Sequence, residues 1–371
     1  MKTTDVAIIG GGIIGASIAM ELSARRVCVS LFDRQSPGCE ASWAAAGMLS
    51  PAPDGLPAIP LIPLARESLR IYPAFVQAVE AASSRSADFE RDGAIHLFAG
   101  ENSPAERDAV VSQYRSLGLA IDPLPIDEAR RREPFIGPHI SAAAWNPDEA
   151  RVDPRHLTAA ILAAAQNLGA RIRHDARIEK ILFDANRCTG LALASGEEIS
   201  AAHVVLAAGS FSGGILGDAA PRIAPTHPVR GQMLALRAKG WQLRHVLRSE
   251  HAYLVPRKDG RIIAGSTLED AGFEKCVTPA GLQSILSAAI EMAPVLASAE
   301  IVETWSGLRP GTPDELPLLG PTNIEGLIVA TGHYRNGILL APVTAQLVRE
   351  WILEGKTSFD ASAYSPLRFA P

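Results

Sequence analysis

Three glycines and one acid near the start of the chain have the spacing to hold a dinucleotide. Gly10, Gly12 and Gly15 form a G-x-G-x-x-G pattern, and Asp33 follows a short distance beyond it. Gly10 permits a tight turn, Gly12 lets the backbone come close to a pyrophosphate, and Gly15 lets a helix and a strand pack closely. A helix that starts here offers unpaired N–H groups and the positive end of its dipole to phosphate oxygens. Asp33 can accept hydrogen bonds from the ribose hydroxyls.

The elements that must position these residues are legible around them. Residues 6–9 read as a strand buried on both faces, and Ile14, Ile18 and Leu22 follow at helical spacing. A second strand, 27–32, ends at Asp33, which completes a βαβ unit. The motif by itself does not separate NAD from FAD, and a plain βαβ turn without ligand shares its local features.

Composition narrows the field. The chain has 371 residues, of which 47% are hydrophobic and 20% charged, with a formal net charge of −5. That length exceeds what one core usually serves, so two domains are expected. No basic stripe is present, which argues against a nucleic-acid partner. Cys28, Cys39, Cys188 and Cys276 stand far apart and form no C-x-x-C pair, so neither a zinc site nor a disulfide framework is expected. A cytoplasmic setting is the simplest expectation. The apolar run 6–20 is too short to span a bilayer and too rich in glycine for a signal peptide, so no membrane span is expected.

Further along, the proline-rich stretch 50–63 reads as an irregular surface loop, and 64–82 as a helix. The region 88–150 is mixed, with a strand at 93–98 and a helix near 104–117. Asp153 and Pro154 suit the cap and first position of a helix over 155–168. A strand at 170–174, a hairpin-like region and a buried strand at 203–208 follow. Residues 223–305 look antiparallel: 229–236, 253–256 and 261–267 read as strands, Lys258-Asp259-Gly260 as a turn, and 279–292 as a helix. The chain then returns to α/β character with a strand at 327–330 and a helix over 337–353.

The expected class is therefore α/β, α+β overall: a Rossmann-like nucleotide-binding domain interleaved with a largely antiparallel β domain for the substrate. The first takes 1–86, 151–222 and 306–371, and the second takes 87–150 and 223–305. Such interleaving buries a ligand between domains.

Six further segments, in this order, carry a resemblance: AAAGML at 44–49, VVLAAG at 204–209, PVRGQ at 228–232, YLVPR at 253–257, GLRPGTPD at 307–314 and GHYRNG at 332–337. With the N-terminal fingerprint, the chain resembles the D-amino-acid oxidase superfamily of FAD enzymes over essentially its whole length. It is most similar to the glycine oxidases of thiamine biosynthesis. The resemblance implies FAD as cofactor. Ala41, Ser42, Ala46, Gly47 and Met48 would line the flavin and pyrophosphate, where small residues let the backbone touch a flat ring. His333, Tyr334, Arg335, Asn336, Gly337, Ile338 and Leu339 would form a loop and helix start beneath the ring, with the helix dipole favouring negative charge there. Ile13, Ile14, Arg34, Arg177 and Gly209 complete the expected cofactor set. No cysteine falls within 305–340, where related sarcosine-type enzymes attach their flavin, so non-covalent FAD is expected.

The same resemblance implies that Arg309 and Tyr253 hold the substrate carboxylate, since arginine presents a planar fork suited to it. Arg335 is a second substrate candidate, with a structural ion pair at a helix start as its alternative. Tyr253 falls in a strand, where tyrosine is also ordinary core material. No residue is expected to act as general acid or base, because hydride transfer to flavin N5 needs only a neutral amine. His251 and His333 are assigned no catalytic role. The expected reaction is oxidation of glycine, sarcosine or small D-amino acids with oxygen as acceptor, giving imine or 2-oxo acid, ammonia and peroxide. A dehydrogenase using a quinone or partner subunit, a flavin-binding relay subunit and an NAD enzyme are the alternatives. A homo-oligomer, tetramer or dimer, is implied by the family.

Overall fold

The N-terminal unit forms as strand Lys2–Ile9, helix Ile13–Ser23 and strand Val29–Phe32 in the computed structural model, which describes residues 2–52, 56–216 and 223–369. These strands lie inside a parallel core whose order is Leu327–Thr331, Glu198–Leu206, Lys2–Ile9, Val29–Phe32 and Arg171–Arg173. Strand Leu318–Pro321 joins antiparallel at one edge. Residues 6–9 of the first strand are apolar on both faces because both are covered. Val6 and Ile8 pack among the helices, whereas Ala7 and Ile9 face the opposite side with Ile181 and Leu191.

On the helical side, Ile13–Ser23 meets Gly337–Glu354 and Pro154–Asn167, with Ile62–Ser83 packed behind them. Nearly every residue of Ile13–Ser23 is buried, so it is apolar all round and not amphipathic. Asp153 caps Pro154–Asn167 as its position suggests: its carboxylate accepts from the Arg155 and His156 N–H groups at 2.9 and 3.2 Å. The hairpin-like region resolves into Ile178–Asp184 and Arg187–Leu193, antiparallel to each other, and the second of them pairs antiparallel with Glu198–Leu206. That last strand begins earlier than the run 203–208 and ends at Leu206, its first half pairing with Lys2–Thr4 on one side and Gly190–Ala192 on the other.

The second sheet runs in the order Glu300–Gly311, His227–Arg237, Ile262–Gly265, Tyr253–Pro256, Val246–Arg248, Ala94–Ala99, Ile140–Asn146 and Asp122–Leu124. All neighbours are antiparallel except Val246–Arg248 beside Ala94–Ala99. Helix Pro279–Met292 covers one face through Ile285, Ala289 and Met292. The two sheets are stitched together around residues 41–52. Met48–Leu49 pairs with Ala150–Arg151, the Trp305 indole N–H donates to the Ala44 carbonyl at 3.0 Å, and Ser210 Oγ donates to the Leu308 carbonyl at 3.2 Å.

Two expectations need correction. The stretch 50–63 is not wholly irregular: a 3-10 helix covers Leu56–Leu61 and helix Ile62–Ser83 starts directly after it, while 53–55 lie outside the described residues. Pro63 is tolerated because the first turn of a helix has no N–H partner to lose. The mixed region near 120–150 hides helix Ile126–Arg132 and strand Ile140–Asn146. Its run of alanines carries little of the bulky β-branched signal that marks a strand. Among the described residues, no helix is long and apolar enough to cross a membrane.

Candidate active site

A cavity of about 630 Å3 opens where the two sheets meet. At its nucleotide end, Gly10, Gly12, Ile13 and Ile14 form one wall and Asp33, Arg34 and Arg177 another. Helix Ile13–Ser23 presents its N-terminus here with Gly12 as cap and no side-chain cap from its own turn. Ser42 Oγ instead accepts from the Ile13 N–H at 2.8 Å. The Asp33 oxygens accept from the Gly11 and Gln35 N–H groups at 2.7 and 3.0 Å. Burial pushes the Asp33 carboxyl up, against the pull of those bonds. Arg34 pairs with Glu40 at 2.8 Å and lies over the Phe211 ring.

The three fingerprint glycines have different reasons to be glycine. A Cβ on Gly10, which has φ +107°, would sit 2.4 Å from the Ala207 carbonyl oxygen, and one on Gly15 would sit 2.0 Å from that of Gly10. A Cβ on Gly12 would meet only Ser42 Oγ, at 3.2 Å. Protein packing therefore demands glycine at 10 and 15, whereas at 12 it leaves a side open to the cavity. Gly15 accordingly lies behind the wall.

The middle of the cavity is lined by Ala41, Ser42, Ala46, Gly47 and Met48 on one side. Gly209, His333, Tyr334, Asn336, Gly337 and Ile338 line the other. Helix Gly337–Glu354 begins here, also without a side-chain cap or an acid in its first turn. Two helix N-termini thus face one cavity, a favourable setting for negative charge. Leu339 was expected at the wall, but it is buried behind it, and its carbonyl accepts from Ser68 Oγ at 2.6 Å. The next residue along a helix points some 100° away, which carries Leu339 into the core.

His333 is buried at the wall, 3.0 Å from Thr344 Oγ1, and burial pushes its imidazole down to about 3. It is neutral across the working pH range. The folded pKa lies below the ordinary 6.5, so the unfolded chain binds the proton that the folded one refuses. This contribution to stability is full above about pH 6.5 and is lost as pH falls towards 3. His333→Gln should therefore flatten the fall in urea midpoint between about pH 6.5 and 5. An equally steep fall in the variant would contradict this assignment. His251, by contrast, is exposed beside Glu250.

At the far end, Tyr253, Arg309 and Arg335 come together with Met48, Met233 and Ser266. Arg309 stands on Glu300–Gly311 and Tyr253 on a strand three places along the same sheet. Arg309 donates to the Thr267 carbonyl at 3.2 Å and to Ser266 Oγ at 2.7 Å. Burial holds its guanidinium below the ordinary value; Tyr253 pulls the other way and Arg335 adds to the lowering. Arg335 is the exposed member of the three.

Two glycines make room for this pair. A Cβ on Gly231 would lie 2.2 Å from Arg309 Nη1, and one on Gly265 would lie 2.7 Å from the Tyr253 hydroxyl. Gly231 lies inside the PVRGQ motif with no separate signal for this part, and Gly265 carries none in the sequence. Gly231→Ala should displace the Arg309 fork and raise KM for an amino-acid substrate by about tenfold or more, with FAD retained. An unchanged KM would show that the fork stands elsewhere when substrate is bound.

One buried group at this end was also missed. Glu149 is 1% exposed; its Oε1 accepts from Ser50 Oγ and Arg248 Nη1, both at 3.0 Å, and lies 3.1 Å from His96 Nε2. Burial pushes its carboxyl up, but Arg248 and His96 more than offset this and hold it at about 2. The pairing fastens the chain at Ser50, which lines the cavity with Arg248 and Ala52.

The pattern of the FAD dependent oxidoreductase family matches residues 5–351. A bifunctional protein ThiO/ThiG from Synechocystis sp. is 36% identical over 99% of this chain and 54% of its own length. The chain thus spans about half the length of that relative. A glycine oxidase from Geobacillus kaustophilus is 33% identical over 98% of this chain and 97% of its own. The crystal structure of glycine oxidase from that organism superposes with a TM-score of 0.92, at 32% identity, covering 99% of both chains.

Proposed function

This chain belongs to the FAD dependent oxidoreductase family, and from that premise we propose that it oxidises the carbon–nitrogen bond of glycine and related small amino acids, with oxygen as the final acceptor. The cofactor is FAD. The observation that carries the reading is the pairing of Arg309 and Tyr253 at one end of a cavity whose other end is a dinucleotide fingerprint.

The residues present fit FAD. Gly12 has a side open to the cavity, and two helix N-termini without side-chain caps of their own line it. In the proposed arrangement the Gly12–Ile14 turn holds the pyrophosphate, Asp33 the ribose hydroxyls, and 46–48 with 333–338 the ring, without a covalent bond. Gly15 and Leu339 act from behind, through packing. When bound, FAD supplies the acceptor for the hydride that leaves the substrate α-carbon and returns the electrons to oxygen. Segments 1–86, 151–222 and 306–371 would mainly serve the cofactor, and 87–150 and 223–305 the substrate; strand Glu300–Gly311 crosses that boundary and carries Arg309 to the substrate side.

The chain's own part is orientation. Arg309 offers its fork to the substrate carboxylate and the Tyr253 hydroxyl adds a further contact, which leaves the α-carbon little freedom. The positive charges of Arg309 and Arg335 favour the neutral amine over the ammonium form. No side chain need remove a proton from carbon. The pocket for the substrate side chain is walled by Met48, Ala52 and Met233, which are apolar. A methyl group there is worth about 1–3 kcal/mol, so glycine, sarcosine and small D-amino acids are all expected to turn over. An imine made from glycine would suit thiazole formation in thiamine biosynthesis.

The test is peroxide release by the purified FAD-loaded protein with glycine, sarcosine, D-alanine and D-proline in turn. Peroxide with glycine supports the oxidase. Bleaching of the visible flavin bands without peroxide would redirect the proposal to a dehydrogenase, and silence with all four would remove the substrate claim.

A further inference from the structure

The backbone at 43–47 is held from outside the cavity by four separate donors. Arg155 Nε donates to the Trp43 carbonyl at 3.2 Å and Trp305 Nε1 to that of Ala44 at 3.0 Å. Arg257 Nη2 donates to the Ala46 carbonyl at 2.7 Å and the Val152 N–H to that of Gly47 at 2.9 Å. Arg257 differs from the others in being a buried charge. It is 7% exposed, and its Nε lies 3.2 Å from a carboxylate oxygen of Asp153, which is 4% exposed. Burying such a pair is costly, and nothing in helix capping requires it, since the other Asp153 oxygen does the capping.

The geometry of one peptide plane gives the pair a purpose. In a trans peptide the C=O and the following N–H point in opposite directions. Ala46 and Gly47 line the cavity, whereas Arg257 does not. A carbonyl of Ala46 turned back to Arg257 therefore aims the Gly47 N–H at the cavity. Gly47 itself cannot change: its φ is +82° and a Cβ would lie 2.1 Å from the Val152 carbonyl oxygen. Glycine makes this plane easy to rotate, so its direction has to be imposed from behind.

We propose that Arg257, acting through the Ala46 carbonyl, is a positioning residue that directs the Gly47 N–H into the cavity and thereby sets how tightly FAD is held and how readily it takes up electrons. A donor fixed in advance stabilises negative charge as it develops, with no reorganisation at that moment. With Arg257 removed, the plane can turn and offer a carbonyl oxygen in place of the N–H. That oxygen would repel negative charge where the N–H would have favoured it. The reduced state suffers more than the oxidised one.

The inference rests on FAD lying in this cavity, and its test makes no use of substrate turnover. The double variant Asp153→Asn/Arg257→Met removes both charges and keeps a capping oxygen, so the fold is expected to survive, as far-UV circular dichroism of the apoprotein would report. Titration of apoprotein with FAD should give a dissociation constant raised by about tenfold or more. The flavin reduction potential should move to more negative values. Arg257→Lys keeps the charge without the fork and should shift both readouts in the same direction. Parent-like affinity and potential in the double variant, or in Arg257→Lys, would overturn the proposal. Failure of the parent apoprotein to take up FAD would overturn it together with the cofactor site, whereas a tight-binding parent with unaltered variants would overturn this inference alone.

Discussion

Replacing Arg309 by methionine is expected to lower kcat/KM for glycine by roughly 10²–10⁴-fold while leaving FAD bound. A guanidinium that meets a carboxylate in a partly dry pocket contributes through charge and through two parallel hydrogen bonds. Removing one partner of such a pair costs about 3–5 kcal/mol, which corresponds to that range in rate. The site is prepared for it: Ser266 and Thr267 hold the fork from one side and Gly231 leaves space on the other. Methionine has a comparable stem and no charge, so packing is disturbed little. Arg309→Lys should recover only part of the loss, since a point charge cannot replace a planar fork. The measurement is steady-state kinetics across the glycine concentration range, with the FAD content of each variant read from its visible spectrum. Turnover near that of the parent would remove Arg309 from the substrate site; loss of FAD would move it to the cofactor.

The second large effect is expected at Gly12. Its backbone, at φ −67° and ψ 178°, is one any residue adopts, and a Cβ would touch only Ser42 Oγ. Gly12→Ala should therefore leave the melting temperature of the apoprotein almost unaltered. With FAD present the methyl group would stand where the pyrophosphate must approach the backbone. Overpacking of this kind costs about 1–3 kcal/mol, so affinity should fall by roughly ten- to a hundredfold. Gly10→Ala is the control with the opposite signature. Its Cβ would strike the Ala207 carbonyl in the apoprotein itself, and its backbone sits in the left-handed region, so stability should fall before any ligand is added. Equal affinity for FAD in Gly12→Ala and the parent would mean that the nucleotide lies elsewhere.

The contrast between these glycines indicates how much of the site was legible beforehand. That three glycines at 10, 12 and 15 mark a nucleotide turn follows from their spacing alone. Which of them serves packing and which serves the ligand depends on contacts such as that of Gly10 with Ala207, a residue just past a strand almost two hundred positions away. Tyr253 and Arg309 were nameable from their motifs, and the structure brings them to one end of one cavity. Gly231 could have been suspected, because a glycine inside a long strand weakens it unless something needs the room. Glu149 and Arg248 could not: an acid in a polar turn and an arginine in a short strand read as surface residues until their pairing is seen.

By itself, the order of residues determined the βαβ unit, the alternation between parallel and antiparallel regions, and the family to which the chain is similar. The first two rest on periodicity or on spacings of a few residues, where backbone geometry leaves few choices, and the third on the resemblance carried by the six motif segments. Tertiary structure decided the rest. It set Gly231 diagonally across from Arg309, as neighbouring strands pair Val229 with Arg309 and Gly231 with Gly307. It brought Arg257 to the Ala46 carbonyl from 211 positions away and turned the starts of two distant helices towards the same cavity. A period of two tells which face of a strand is buried but not which strand lies beside it. Neighbours in a sheet are chosen by the packing of the whole chain.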